Sequence, residues 1–271
     1  MTNLNASVKS RGVVLFAFNS DTVNYVEIAE QCARLIKHTL GLSITLITDT
    51  VSTSKYFDQT INVNNTLKNV RMGYAKGTQW RNGDRYRAYE LSPYDETILI
   101  DSDYLMLDNS LVKFLNTATD YRLIHNNYSA THNMSGDMGP MSLNSVWATA
   151  IVFKRSKLTE QLFDLVGRIQ HNYRYYRKLY QLREPNFRND YAFAIANNVL
   201  SGYTTNINQS MPLTMLTLDK PVTNIEIKNS MLIIRERERA HVLPHQNIHV
   251  MDKEYLQSDD YKRFVNTICQ N

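Results

Sequence analysis

The sequence contains little cysteine and no long hydrophobic run. Its 271 residues include two cysteines, Cys32 and Cys269, which are too few for a disulfide scaffold or a zinc site. We therefore expect a reducing compartment, the cytoplasm. The apolar run Val13–Phe18 is too short for a signal-peptide core or a membrane span, so no targeting or transmembrane segment is expected. There is no internal repeat or clear linker, which favours one domain over residues 1–271.

A large excess of charge of one sign is also missing. Hydrophobic residues make up 43% of the chain and charged residues 21%, with a net charge of +4 and a pI of about 8.9. These values are ordinary for a soluble globular protein. The mildly basic balance is compatible with a polyanionic partner without being diagnostic of one.

The chain opens with a β-α-β pattern but lacks the glycine-rich loops that usually bind phosphate. Gly12–Phe18 and Ile44–Asp49 predict buried strands, and apolar residues recur at helical spacing between them until Gly41. This order predicts a parallel pair, as in a nucleotide-binding half. Neither Gly-x-Gly-x-x-Gly nor a Walker lysine loop is present. Phosphate must therefore be held in another way.

The stretch Thr97–Asp108 carries the clearest chemical signal. Thr97–Ile100 is an apolar or β-branched run, which predicts a strand buried on both faces of a parallel sheet. Asp101 and Asp103 follow it, at the edge where open α/β sheets bind ligands. Carboxylates in such a place need a neutralising cation, and hard divalent cations prefer carboxylate oxygen. The pair therefore predicts a divalent metal that carries a phosphorylated ligand.

A solvated turn, a phosphatase site and a calcium loop each fit the Asp-x-Asp pair less well. A solvated turn seldom lies between two core segments, and here the apolar run Tyr104–Leu107 follows the pair. A phosphatase of the haloacid-dehalogenase type places the pair after the first strand, where this chain has Phe18-Asn19-Ser20. A calcium loop needs more ligands and a glycine at its sharp turn.

Two further segments suggest binding surfaces. Residues 81–91 predict a helix that carries Arg85 and Arg87, which form either a solvated face or an anion site. Residues 126–145 show little periodicity and predict a loop that is either disordered or a functional lid.

The order of these segments resembles a known family. An arginine-bearing helix is followed by Leu-Ser-Pro-Tyr-Asp-Glu-Thr-Ile-Leu-Ile-Asp-Ser-Asp, a small-residue strand, an Asn-Asp pair that opens a helix, and a late histidine. Over Gly12–Lys253 this resembles the GT-A glycosyltransferases, most like the glycogenin-type family 8 enzymes and their virus-encoded relatives. The resemblance implies an α/β fold with a Rossmann-like, mostly parallel central sheet flanked by helices. Residues 1–205 would form the nucleotide-sugar-binding core, and residues 206–271 would complete the site.

The resemblance also implies roles for individual residues. Asp101 and Asp103 would bind Mn²⁺ or Mg²⁺, which holds the donor diphosphate, and the strand from Trp147 to Ala150 would lie near the donor sugar. His249 is either a further metal ligand or a structural histidine, and Asp190 is either the catalytic carboxylate or a helix N-cap. The other residues expected to bind the donor are Ala17, Asn19, Asp49, Arg85, Arg87, Ser102 and Lys253.

The resemblance implies a metal-dependent transferase that moves a sugar from a nucleotide-sugar donor, a UDP-sugar, to a hydroxyl acceptor with retention. The acceptor is a glycan or a modified base in viral DNA, and a viral member would act in the host cytoplasm. Four cations interleaved with tyrosines over Arg168–Lys178 suit nucleic acid, although a solvated amphipathic helix also accounts for them. The alternatives are a nucleotidyltransferase and a nucleic-acid-binding protein, the second of which leaves Asp101 and Asp103 without a role.

Overall fold

The architecture is that of a computed structural model, which describes residues 9–64, 69–71, 78–80, 83–130, 132–135, 143–204 and 209–270. Its strands are β1 Arg11–Phe16, β2 Ser43–Thr48, β3 Gln59–Asn62, β4 Asn69–Arg71, β5 Thr78–Trp80, β6 Glu96–Asp101, β7 Tyr104–Leu105, β8 Tyr121–Ser129, β9 Met134–Ser135, β10 Trp147–Lys154, β11 Ser210–Leu218, β12 Asn224–Lys228, β13 Met231–Arg235, β14 Ala240–Pro244 and β15 Ile248–Val250. Its α-helices are α1 Tyr25–Leu40, α2 Ala88–Leu91, α3 Lys157–His171, α4 Tyr173–Leu179, α5 Asn189–Leu200, α6 Lys253–Gln257 and α7 Asp259–Gln270.

One large sheet organises these elements, with the strand order β3-β2-β1-β6-β10-β8-β11-β15-β7 and β9 paired with β8. β3, β2, β1 and β6 are parallel neighbours, and so are β8, β11 and β15. β10 runs antiparallel to both β6 and β8, and β7 runs antiparallel to β15. The predicted α/β fold with a mostly parallel central sheet is therefore confirmed.

The opening β-α-β unit forms for local reasons. β1 and β2 each bury five consecutive residues, and α1 ends at Gly41, whose φ of 64° suits glycine. The predicted parallel pair is confirmed. At the start of α1, the Asn24 side chain accepts the capping hydrogen bond from Glu27 N. The Asn19 side chain accepts from Val26 N at 3.0 Å, in the first turn of α1.

β6 lies between β1 and β10 and delivers the Asp-x-Asp pair to the sheet edge. Ile98, Leu99 and Ile100 are completely buried, as predicted. The register places Phe16, the last residue of β1, opposite Asp101. Both strands therefore end at the same edge, which is where ligand sites form in open α/β sheets.

The helix predicted at residues 81–91 takes a tighter form in the structure. Gly83–Arg87 is a 3-10 helix and Ala88–Leu91 is α-helical. The helix ends at Leu91 because Ser92 precedes a proline and adopts an extended conformation. Another 3-10 helix spans Val112–Phe114. Residues 81–82 lie outside the described part.

The predicted loop at residues 126–145 begins later than expected. β8 continues to Ser129, and its polar side chains are accommodated by hydrogen bonds such as that from Ser129 Oγ to Asp219 Oδ1 at 2.9 Å. β9 adds a short strand, and residues 131 and 136–142 lie outside the described part.

The C-terminal part adds a small antiparallel sheet of β12, β13 and β14. The charged run Arg235–Arg239 ends β13 and turns into β14, with Glu236 N donating to Arg239 O at 2.8 Å. None of the helices in the described ranges has both the length and the apolar character needed to cross a bilayer.

Candidate functional site

A cavity of about 390 Å³ opens where β1, β6, β11 and β15 end and β10 begins. This volume lies within the usual range for small-molecule sites. Its charged lining consists of Arg85, Asp101, Asp103, Arg188, Asp190, His249 and Lys253. Aromatic side chains form another part of the wall, namely Phe16, Phe18, Tyr25 and Trp147. The cavity therefore combines charged groups with flat apolar surfaces.

Arg85 is the buried partner of Asp101. Its side chain is 1% exposed, Nη1 donates to Asp101 Oδ1, and Nη2 donates to Ala148 O at 2.6 Å and Thr149 O at 3.2 Å. Arg85 thus ties β6 to the first residues of β10. Burial raises the pKa of Asp101 to about 6 against the lowering effect of Arg85, and the neighbouring Asp103 carboxylate adds to the increase.

Asp103 contacts two side chains from the C-terminal part of the chain, Lys253 and His249. Lys253 Nζ donates to Asp103 Oδ2, and His249 Nε2 lies 3.5 Å from Oδ1. The pairing of β15 with β7 brings these groups together, because Val250 N donates to Asp103 O at 2.9 Å. Burial alone would raise the pKa of Asp103, but the charge of Lys253, reinforced by His249, holds it well below its usual value. Burial likewise opposes the increase in the pKa of Lys253 that Asp103 causes.

Asp101, Asp103 and His249 were the side chains expected to hold a divalent metal. Within the described ranges no three His, Cys, Asp or Glu side chains converge closely enough to hold an ion, and Arg85 and Lys253 neutralise the two carboxylates. Two buried atoms nevertheless have no hydrogen-bond partner, Asp103 Oδ1 and His249 Nδ1. Carboxylate oxygen and imidazole nitrogen both suit Mn²⁺. The donor set therefore fits such an ion, and Lys253 is the cation that competes with it.

Asp190 lies at the start of α5 and faces the same cavity. Its Oδ1 accepts from Ala148 N at 2.9 Å, and its Oδ2 accepts from Arg188 Nε and Nη2 at 3.1 and 2.8 Å. Arg188 is the N-cap residue of the helix, and its side chain makes no capping hydrogen bond. The Asp190 carboxylate therefore connects α5 to β10 instead of capping the helix. Asp190 in turn raises the pKa of Arg188.

The structure brings together some of the predicted site residues and leaves others apart. Ser102 lines the cavity together with Arg85, Asp101, Asp103, Asp190, His249 and Lys253, whereas Ala17, Asn19, Asp49 and Arg87 do not. Ala17 is buried between the lining residues Phe16 and Phe18. Asp49 is exposed and accepts a hydrogen bond from Thr50 Oγ1 at 3.2 Å. Arg87 points to Glu90, at 3.5 Å, on the outer side of its helix.

Several lining residues were not predicted from the sequence. Arg188 precedes the Asn-Asp pair, and the Arg-x-Asp spacing was the available signal for a clamp on Asp190. Tyr25 begins α1 directly after the β1 loop, and Thr217 stands next to His249 across the β11–β15 pair. No sequence pattern marks these two residues, because strand order alone places them at the cavity.

Comparison with known proteins shows the fold. No protein-family model matches the chain, and no curated protein sequence matches it. An active-site variant of LgtC aligns over 96% of this chain and 95% of its own, with a TM-score of 0.53 and 10% identity.

Two other solved structures are less similar. The galactosyltransferase LgtC in complex with donor and acceptor sugar analogues aligns over 69% of this chain and 70% of its own, with a TM-score of 0.45 and 11% identity. The glycosyltransferase GlyE of Streptococcus pneumoniae TIGR4 aligns over 77% of this chain, which spans 45% of GlyE, with a TM-score of 0.39 and 12% identity. The similarity to the LgtC variant, at 10% identity, establishes the α/β fold of the GT-A type, and the activity has to be argued from the site.

Proposed function

We propose that this chain transfers a sugar from a nucleotide-sugar donor, a UDP-sugar, to a hydroxyl acceptor. The proposal depends on one observation, which is that two different clusters of charged side chains line the same cavity. At the ends of β6 and β15, Asp103 meets Lys253 and His249, and Asp101 beside it is held by Arg85. At the start of α5, Asp190 is held by Arg188. The first group suits a metal-bound diphosphate, and the second suits a sugar that gains positive charge.

The leaving group is a nucleoside diphosphate, which gains negative charge as the glycosidic bond breaks. Mn²⁺ or Mg²⁺ held by Asp101, Asp103 and His249 would supply Lewis-acid neutralisation of that charge. Lys253 adds a donor for the same phosphates, and Arg85 fixes the orientation of the Asp101 carboxylate. Phe16, Phe18 and Tyr25 offer flat surfaces against which the nucleoside base can pack.

The sugar loses its diphosphate with the electron pair of the C1–O bond, which leaves an oxocarbenium-like centre. The fixed carboxylate of Asp190 stabilises that centre electrostatically. The acceptor hydroxyl donates a lone pair to C1 to form the new bond, and its proton passes to the departing diphosphate. Retention of configuration follows from the resemblance to glycogenin-type enzymes, and the acceptor is a glycan or a modified base in viral DNA.

The shared fold adds support for a sugar donor, because LgtC is a galactosyltransferase whose complex holds donor and acceptor sugar analogues. What the two proteins share is a fold, and a fold does not by itself determine a function. The substrate assignment here therefore depends on the side chains of this chain.

A donor-hydrolysis screen tests the proposal. UDP-, GDP- and CMP-sugars are each incubated with the protein in Mn²⁺, in Mg²⁺ and in a chelator, and the released nucleotide and free sugar are quantified. We expect slow release of UDP and free sugar from one UDP-sugar, and only with a metal. No release from any donor in either metal would contradict the proposal. Formation of pyrophosphate from a nucleoside triphosphate would favour a nucleotidyltransferase instead.

A further inference from the structure

The end of α3, the helix α4 and the end of α5 form an exposed surface that the proposed reaction does not use. Seven large hydrophobic side chains are exposed in the described structure, and four of them lie here, namely Tyr175 at 64%, Leu179 at 56%, Tyr203 at 61% and Val199 at 38%. Single exposed hydrophobic residues are ordinary on a soluble domain, but a cluster of them indicates a binding surface. We call this cluster and the cations around it the α4 surface.

Specific contacts hold the α4 surface in place. Tyr173 faces inward, where its ring packs on Phe187 at 5.6 Å and its hydroxyl donates to Glu184 O at 3.0 Å. The outward residues of α4 are therefore fixed by this inward anchor. The end of α4 joins the end of α5 through the hydroxyl pair Tyr180 and Tyr203, whose oxygens lie 2.6 Å apart.

The charge of this segment is of one sign. Residues 165–183 contain no Asp or Glu, and their cations are Arg168, Arg174, Arg177, Lys178 and Arg183. None of these five forms an ion pair with a residue of the described part of the chain. Exposed cations elsewhere differ from one another, since Arg235 pairs with Glu226 at 3.0 Å whereas Lys113 and Lys228 form no ion pair with a described residue. The α4 surface is distinguished by five such cations with no carboxylate between them. The partner of the α4 surface is therefore expected to be anionic.

We propose that the α4 surface docks the protein onto an anionic lipid bilayer. Lys and Arg would contact headgroup phosphates, while Tyr175, Leu179 and Tyr203 would enter the interfacial layer, which accepts amphipathic aromatic and apolar side chains. Nucleic acid would satisfy the cations and tyrosines but would leave Leu179 and Val199 exposed. This inference stands apart from the proposed reaction. Since α5 runs from Asp190 to Val199 on this surface, the cavity end of the helix lies about 14 Å along its axis from the docked surface.

Vesicle binding tests the inference directly. The protein is mixed with phosphatidylcholine vesicles that contain about one third phosphatidylserine, or none, and the bound fraction is measured at low and high salt. Each cation near an anionic surface contributes roughly fivefold in affinity. We expect Arg174→Glu with Lys178→Glu to weaken binding at least about 25-fold. Tyr175→Ser with Leu179→Ser should weaken binding even at low salt.

A matched control carries the same charge change on other exposed cations. Arg235→Glu with Arg263→Glu alters side chains that are 53% and 69% exposed and lie in β13 and α7. The inference requires this control to bind anionic vesicles nearly as the parent does. It would be overturned if the parent ignored anionic vesicles, if the control lost as much affinity as the α4 variants, or if a labelled DNA duplex bound through the α4 surface and vesicles did not.

Discussion

Arg188 holds Asp190 through two N–H groups that both point at Oδ2, while Ala148 N occupies Oδ1. Both carboxylate oxygens are therefore fixed before any ligand arrives. The arrangement separates the two roles that the sequence allowed for Asp190, since the side chain does not cap α5. A carboxylate fixed in this way costs little reorganisation when charge develops next to it.

We predict that Asp190→Asn keeps the fold and loses most of the turnover. Asparagine retains an oxygen for Ala148 N but has no charge for the developing cation. The expected fall in kcat is at least about a hundredfold. Tm should also fall, because the amide nitrogen of Asn faces the two Arg188 donors, so kcat is measured at a temperature where both proteins are folded. Steady-state kinetics on the UDP-sugar found in the screen would measure the fall in kcat. Arg188→Lys keeps the positive charge but loses the two-fold contact, so its kcat should lie between those of the parent and Asp190→Asn. A parental kcat in Asp190→Asn would refute the role of Asp190.

Arg85 and Arg87 allow the cost of replacing a buried arginine to be compared with that of replacing an exposed one. Arg85→Met leaves Asp101 and the carbonyls of Ala148 and Thr149 without their buried donor, so we expect a loss of about 3–5 kcal/mol in the free energy of unfolding. Arg87→Met removes a contact to the exposed Glu90 and should cost less than about 1 kcal/mol. Urea unfolding measures both changes. Equal losses in the two variants would contradict the assigned positions.

Asp58, which does not line the cavity, should make the free energy of unfolding depend on pH. Its Oδ2 accepts from Lys37 Nζ and from Ile44 N at 2.7 Å, which joins the end of α1 to the start of β2. Burial acts to raise the pKa of Asp58, but Lys37 and Ile44 N lower it below its ordinary value of 3.8. Because the pKa of Asp58 is lower in the folded protein than in the unfolded chain, its carboxylate stabilises the fold at pH values above the unfolded pKa. This contribution is lost as the pH falls through the folded pKa.

Asp58→Asn should therefore be less stable than the parent at pH 7, and the difference should shrink as the pH falls below 3.8. Urea unfolding of both proteins across the acid range measures it. A difference that is the same at every pH would show that the charge of Asp58 is not involved.

The sequence predicted the elements whose signals are local. The buried run before Asp101 predicted β6, the helical spacing up to Gly41 predicted α1, and the Asn-Asp pair at 189–190 predicted the start of α5. Each depends on periodicity or on one stop residue, and these act over a few positions. The resemblance to GT-A enzymes supplied the overall fold.

Long-range contacts could not be predicted in this way. Lys253 reaches Asp103 across 150 residues because β15 pairs with β7, and strand order of this kind has no local signature. Arg85 and Arg87 look equivalent in the sequence, yet one is buried and the other is on the outer side of the helix. Residues two positions apart lie on different sides of an α-helix and of a 3-10 helix, and the local pattern does not say which of the two faces the cavity.

The central claim is that Asp103 helps to bind a nucleoside diphosphate through a divalent cation. Asp108 provides a control in the same stretch, because it contacts Asn247 and Ser110 and does not line the cavity. Isothermal titration of UDP into the parent, Asp103→Asn and Asp108→Asn, with Mn²⁺ and with a chelator, compares them directly. We predict Mn²⁺-dependent binding by the parent and Asp108→Asn and a loss of at least about tenfold in Asp103→Asn. Equal UDP affinity in the chelator, or in Asp103→Asn with Mn²⁺, would contradict the claim.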